Sequence, residues 1–256
     1  MGSTEGCVES RRHNESTPIR RVPLSAVPLL SDFVQEIFYS APEASSVKEK
    51  DHSKEDEIEI RYMPRRALQP DELAQAYDVL EISQCYVDVQ DDIHNEHDIT
   101  VRFRKSQHHL QSNGDVQQHK EMFRMAYKEG SGEHRIEFQR KFPSSDERAE
   151  EFNAAWEQRT TRTITKTRYY FKHMMLNGHM CTIHYDVHHD CEDPEWNGFI
   201  RIEVEFDSPD DMHFAKEHPE SIPDYIGPST RKYSGSSMTR GGPDVQAKKL
   251  ISELSA

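Results

Sequence analysis

The sequence predicts an α+β fold: a closed antiparallel eight-stranded β-tunnel with a polar, charged lumen and helices packed outside. Three observations carry that expectation. About eight short segments alternate apolar and polar residues at the period of a strand. Hairpin signals join several of them, at Gly130-Ser131-Gly132, Asn177-Gly178 and Asn197-Gly198. Charged residues also keep to one face of strand after strand.

In chain order, residues 1–54 are rich in Ser, Glu, Pro and Lys and read as a flexible extension. One apolar stretch, from Val22 to Tyr39, sets Phe33, Val34, Ile37 and Phe38 on one helical face, which predicts a short docking helix. Residues 55–240 read as the main domain. Its strands are expected at 56–62, 85–89, 99–105, 122–129, 134–142, 163–174, 180–188 and 199–207. Helices are expected at 70–80, which opens on Pro70, at 145–157, where Ser144 and Glu147 fit a capping box, and at 209–217, which opens on Pro209. Residues 241–256 form a tail with a last helix, opened by Pro243 and carrying Val245, Leu250 and Leu254 on one side.

Composition narrows the function classes. Charged residues make up 30% of the 256, and the mean hydropathy is -0.91. A fold with a polar interior as well as a polar exterior accounts for such values. The net charge of -14 argues against a general nucleic-acid binder, which shows a basic footprint. No apolar run is long enough for a membrane helix, and the first residues lack the order of a secretory signal. Cys7, Cys85, Cys181 and Cys191 have no CxxC spacing, so neither a zinc ribbon nor a disulfide scaffold is indicated, and a cytoplasmic location is expected.

The charged faces point to chemistry. Glu57, Glu59 and Arg61 oppose Ile58 and Ile60; Arg102 and Arg104 oppose Val101 and Phe103. Arg135, Glu137 and Gln139 share a face, as do Lys166 and Arg168, and Asp186 opposes Tyr185 and Val187. Arg201, Glu203 and Glu205 oppose Ile200, Ile202, Val204 and Phe206. A sheet with one wet face would mix Thr, Ser, Gln and Lys there. Repeated Arg and Glu at i, i+2 spacing fit a lumen better, and removing those charges from water costs several kcal/mol unless they are compensated. Glu-x-Glu pairs offer hard oxygen ligands suited to Mg²⁺ or Mn²⁺. Arg and Lys on the other strands, with Lys128, would grip successive phosphates.

Taken in order, these segments resemble the CYTH superfamily, the triphosphate tunnel metalloenzymes. Glu57-Ile58-Glu59-Ile60-Arg61 resembles the signature ExExK strand, Gln84-Cys85-Tyr86 its Gln-x-Tyr strand, and Val101-Arg102-Phe103-Arg104 its Arg-x-Arg strand. Lys128 sits where the third basic strand begins, and Arg135-Ile136-Glu137 matches most of an Arg-x-Glu-x-Glu strand. Lys166-Thr167-Arg168-Tyr169, Asp186, and Glu203-Val204-Glu205-Phe206 follow, then a loop from Tyr225 to Ser234.

The resemblance implies that Glu57, Glu59, Asp186, Glu203 and Glu205 hold one or two metal ions, Mg²⁺ or Mn²⁺. It implies that Arg61, Arg102, Arg104, Lys128, Arg135, Lys166 and Arg168 bind the triphosphate. Arg61 replaces the signature Lys and Gln139 the second Glu of its strand, which changes proton transfer and lumen charge.

The expected activity is hydrolysis of a terminal phosphoanhydride of inorganic, thiamine or nucleoside triphosphate, with Glu59 or Glu205 orienting water and Arg61 beside them. An RNA 5′-triphosphate end is compatible; a membrane partner is not expected, and the sequence sets no oligomeric state. Two alternatives stand: cyclisation of ATP in the manner of class IV adenylate cyclases, although no adenine pocket is evident, and a sensor that binds triphosphate or polyphosphate without turnover. A zinc site from Cys181, His184, His188, His189 and Cys191 is a further alternative, against the expectation of rim histidines near Asp186. His108 and His109 are expected to face solvent, and Trp156 and Trp196 to pack.

Overall fold

The computed structural model describes residues 21–38, 52–90, 98–109, 121–129 and 133–254. The elements run β1 (Val22–Pro23), α1 (Pro28–Phe38), β2 (His52–Pro64), α2 (Pro70–Leu73), β3 (Asp78–Gln90), β4 (Asp98–His108), β5 (Glu121–Glu129) and β6 (His134–Pro143). They continue α3 (Ala149–Glu157), β7 (Ile164–Met174), β8 (Met180–His189), β9 (Ile200–Phe206), α4 (Pro209–Glu217), β10 (Ile226–Ser229), α5 (Gly235–Arg240) and α6 (Val245–Leu254).

Eight strands close into a hydrogen-bonded ring in the order β3-β4-β5-β6-β2-β9-β8-β7, and β7 pairs back onto β3. All ring pairings are antiparallel. β1 adds to β3 in parallel and β10 to β2 antiparallel. The tight turns use the left-handed backbone that glycine tolerates: Gly178 has φ 82° and Gly198 φ 83°.

Strand β2 is shared unequally. Residues His52 to Ile58 pair with β6, whereas Glu59 to Tyr62 pair with β9 on the other side. The partners change between Ile58 and Glu59, where the Glu59 amide donates to the Glu133 carbonyl at 2.9 Å.

The apolar faces of the ring lie under three clusters. α1 and α3 cover the first, where Phe152 stacks on Phe123 at 4.3 Å between centroids and packs beside Phe103. The second joins β2, β8 and β9 to α4 through Ile60, Ile183, Ile202, Val204 and Met212. α6 covers the third through Ala247, over Trp196, Phe199 and Tyr233. Trp156 and Trp196 are therefore packing residues, as expected. Among the described residues no helix is long and apolar enough to cross a membrane.

Several expectations need correction. The helix expected at 70–80 ends at Leu73, because Val79, Ile82 and Cys85 belong to β3, which hydrogen-bonds β4 on one side and β7 on the other. The capping box is at its start, where Gln69 and Glu72 reciprocate, and not at Ser144 and Glu147. α3 begins instead at Ala149, after Asp146 has accepted the Arg148 amide. β2 begins at His52, before the expected 56, whereas the docking helix expected between Val22 and Tyr39 forms as α1, with Leu29, Leu30, Phe33 and Val34 buried. In the last helix Val245 faces out at 85% exposure. Cys7 lies outside the described residues.

Candidate functional site

Alternation on each strand turns one row of side chains toward a shared cavity of about 930 Å³, and all eight ring strands contribute to its lining. It reaches solvent at Asp207 and Pro209, both exposed; Ser234, Gly235 and Ser236 line it at the start of α5. Gly235 is pressed so closely on Gln84 and Tyr86 that a Cβ there would stand 2.3 Å from Gln84 Nε2 and 2.6 Å from the Tyr86 hydroxyl oxygen.

At one side stands an acidic trio. Glu57, Glu59 and Glu205 bring one carboxylate oxygen each within 4.8 Å of the others. Glu59 and Glu205 are direct partners across the β2–β9 ladder, an arrangement that like charges oppose. Glu57 is bridged by Lys128 Nζ at 2.5 Å, and Glu59 accepts from Arg61 at 3.1 Å. Glu205 meets only His184 Nδ1, at 3.4 Å, among the ion pairs formed by the described residues. Burial, with Glu203, Glu59 and Glu57 against Arg168, pushes its carboxyl up to about 7. The Glu205 side chain is half-buried at the cavity wall.

On the opposite side the charge is positive. Arg102 donates to Glu137 at 2.7 Å. Burial would raise Glu137, but Arg102, Lys128 and Arg104 outweigh it and hold the carboxyl below its usual range. Arg104 is buried and has no ion pair among the described residues, and its Nε has no hydrogen-bond partner. Burial first, then Arg102, Arg124 and Arg168, pushes the guanidinium down to about 9, still charged at neutral pH. Arg124 stands directly across the β4–β5 ladder from Arg104 and lines the same cavity.

Between the two sides lies a closed network. Asp186 is wholly buried and takes Lys166 at 2.5 Å, Arg168 at 2.6 Å and Arg201 at 2.9 Å. Burial would raise this carboxyl, but Arg168 and Lys166 hold it well below its usual value. Arg168 and Arg201 also grip Glu203, at 2.5 Å and 3.0 Å, and Arg201 donates to the Tyr233 carbonyl at 2.9 Å. Tyr233 takes the left-handed backbone at φ 58°, and its hydroxyl donates to Asp244.

The structure thus brings Glu57, Glu59, Glu203, Glu205, Arg61, Arg102, Arg104, Lys128 and Arg168 to one cavity. It does not bring Lys166 and Asp186 there: both have zero side-chain exposure and satisfy each other behind the wall. The side chain of Arg135 lies outside the described residues; its backbone pairs with Glu57. Sequence reasoning passed over Arg124, although Arg124 and Lys128 share a strand face at i, i+4 spacing, the signal that found the other bases.

The histidine and cysteine alternative does not assemble. Among the described residues the acidic trio is the group with metal-ligand spacing. Cys181 is in the apolar cluster under α4, and Cys191 Sγ donates to the Thr165 carbonyl. His188 is buried against the Phe199 carbonyl, and burial, then Arg201 and Lys166, pushes it down to about 3. His108 is half-buried beside Asp78, and His109 is exposed beside Glu81.

No protein-family description matches the chain, and no curated protein matches it. Among solved structures, the PH1819 protein from Pyrococcus horikoshii OT3 is similar over 71% of this chain and 97% of its own, at 14% identity and a TM-score of 0.42.

Proposed function

We propose that this chain is a divalent-cation-dependent triphosphatase of the CYTH kind, its ring of strands serving as a tunnel with a charged lumen. The observation that carries this reading is Arg104, a buried cation with no ion pair among the described residues, held next to Arg102, Arg124 and Arg168. Burying a charge without a partner costs several kcal/mol. Such an arrangement is sensible where a polyanion supplies the missing countercharge, and guanidinium forks match phosphate oxygens.

The acidic trio fits a hard cation. Three carboxylates converge; Lys128 and Arg61 stand on Glu57 and Glu59, whereas Glu205, raised by burial first and then by its acidic neighbours, has no Lys or Arg ion pair among the described residues. Glu57, Glu59 and Glu205 would hold Mg²⁺ or Mn²⁺, which when bound neutralises charge on phosphate oxygens and lowers the pKa of water. Asp186 and Glu203, expected as ligands from the resemblance, are engaged by Lys166, Arg168 and Arg201, and so act through those bases.

Arg102, Arg104, Arg124 and Arg168 would fix the phosphates. Glu59, buried and tied to Arg61, orients a water for in-line attack on the terminal phosphorus. Glu205 takes the proton on the carboxylate oxygen that would not hold the cation. The bond from phosphorus to the bridging oxygen breaks, its electrons go to the diphosphate, and orthophosphate leaves.

The test is purified protein with Mg²⁺ or Mn²⁺ against inorganic triphosphate, thiamine triphosphate and ATP, with products resolved. Orthophosphate release, lowered on the order of 100-fold in Glu59→Gln, is expected. Cyclic AMP with pyrophosphate would instead mark a cyclase. Metal-dependent binding with no turnover would mark a sensor.

A further inference from the structure

We propose that the open rim of the cavity, beside Glu205, is a stacking site for the neutral planar base of a nucleoside triphosphate, with Tyr77 and Tyr170 as its platform. The inference rests on the triphosphate reading above and narrows it to a substrate class.

Tyr77 is a large aromatic left 56% exposed, yet its position is fixed, because its amide donates to the Tyr170 carbonyl at 2.9 Å just before β3 begins. Its ring lies 6.1 Å from that of Tyr170 at a tilt of 54°. Tyr170 lines the cavity and meets the edge of His184 at 4.7 Å, and His184 stands 3.4 Å from Glu205. Three rings therefore lead from solvent to the acidic trio. The ladders join two of them to the acidic strand: Tyr170 pairs with His184, and His184 with Glu203, two residues before Glu205.

The platform is adjacent to the phosphate-binding bases. The Arg168 guanidinium carbon is 5.9 Å from the Tyr170 ring centroid. A triphosphate gripped by Arg168 and the deeper arginines has its organic end at these rings. An inorganic triphosphate has nothing to place there. Exposed aromatic faces on a charged groove are how proteins hold bases without reading their identity, since every base offers a π-face. Lys172 Nζ lies 5.7 Å from the Tyr77 centroid. That ammonium disfavours a cationic ring such as the thiazolium of thiamine and tolerates a neutral purine or pyrimidine.

The test compares dissociation constants with Mg²⁺ for two hydrolysis-resistant probes, adenylyl imidodiphosphate and inorganic imidotriphosphate. In Tyr77→Ala the nucleotide is expected to bind roughly tenfold more weakly, with the inorganic probe unchanged and Tyr77→Phe close to the parent. Lys172→Ala is expected to narrow the preference for ATP over thiamine triphosphate. Equal binding of the nucleotide by parent and Tyr77→Ala, with the inorganic probe bound, overturns the platform and leaves the triphosphate site standing. Failure of the parent to bind either probe overturns the triphosphate reading, and this inference with it.

Discussion

Arg104 and Asp186 are both charged and buried, and they behave in opposite ways. Asp186 has three cations on it, whereas Arg104 has other arginines around it. Replacing Arg104 with Met is therefore expected to raise unfolding free energy by about 1 kcal/mol, since a buried charge gives way to an apolar chain of similar volume. The same variant is expected to weaken triphosphate binding roughly 100-fold, because charge-assisted bonds to a polyanion are lost. Urea midpoints and binding titrations check the two halves, and a loss of both stability and binding would show that Arg104 is structural. Asp186→Asn is expected to cost about 3–5 kcal/mol, as it leaves Lys166, Arg168 and Arg201 buried without their shared anion. The difference between these residues was not legible in the sequence. Alternation tells which face a side chain takes, and that was enough to bring nine of the expected site residues to one cavity. It says nothing of depth along the strand, and depth is what separates Lys166, sealed against Asp186, from Arg168 beside it.

At the scale of elements, α5 and β8 give two further expectations. α5 starts on Gly235, whose backbone rests on Gln84 and Tyr86, both buried. Gly235→Ala should shift α5 or its partners and cost about 1–3 kcal/mol, read from denaturant midpoints. The end of β8 carries His188, neutral and buried, with its pKa pushed down to about 3. Unfolded histidine titrates near 6.5, so below that pH the unfolded chain binds a proton that the folded chain refuses. Its contribution is complete above about pH 6.5 and is lost progressively as pH falls toward 3. Relative to His188→Gln, the parent's unfolding free energy should therefore decline between pH 6.5 and 4.5, while the raised Glu205 carboxyl contributes equally to both. The strands were readable because period-two alternation is strong where one side is apolar. β3 was half missed: its first residues follow a helix signal at Pro70, and only pairing with β4 and β7 shows where that helix stops.

For the whole molecule, closure of the ring is the property no local pattern encodes. β3 meets β7 across 80 to 92 residues of chain, from Gln84–Ile164 to Asp78–Tyr170, a register set by tertiary packing and not by a turn. The three converging carboxylates exist only once β2 has paired with β9, so ligation there should stabilise the folded domain. Mg²⁺ at about 100 times its dissociation constant is expected to add about 2.7 kcal/mol, or a rise of roughly 5–10 °C in Tm. Calorimetry with and without EDTA checks it, and a Tm indifferent to cation would argue that the trio holds none.

Strand β2 changes partners between Ile58 and Glu59, and Glu57 and Glu59 stand on either side of that change. The junction is therefore a seam, where hydrogen bonding passes from one neighbour to the other and two acids face a third. Repulsion among them works to prise the seam apart, and any cation they share acts as a latch. Amide deuterium uptake along residues 57–61 should be the fastest in the ring when the latch is withdrawn, and should slow when it is restored.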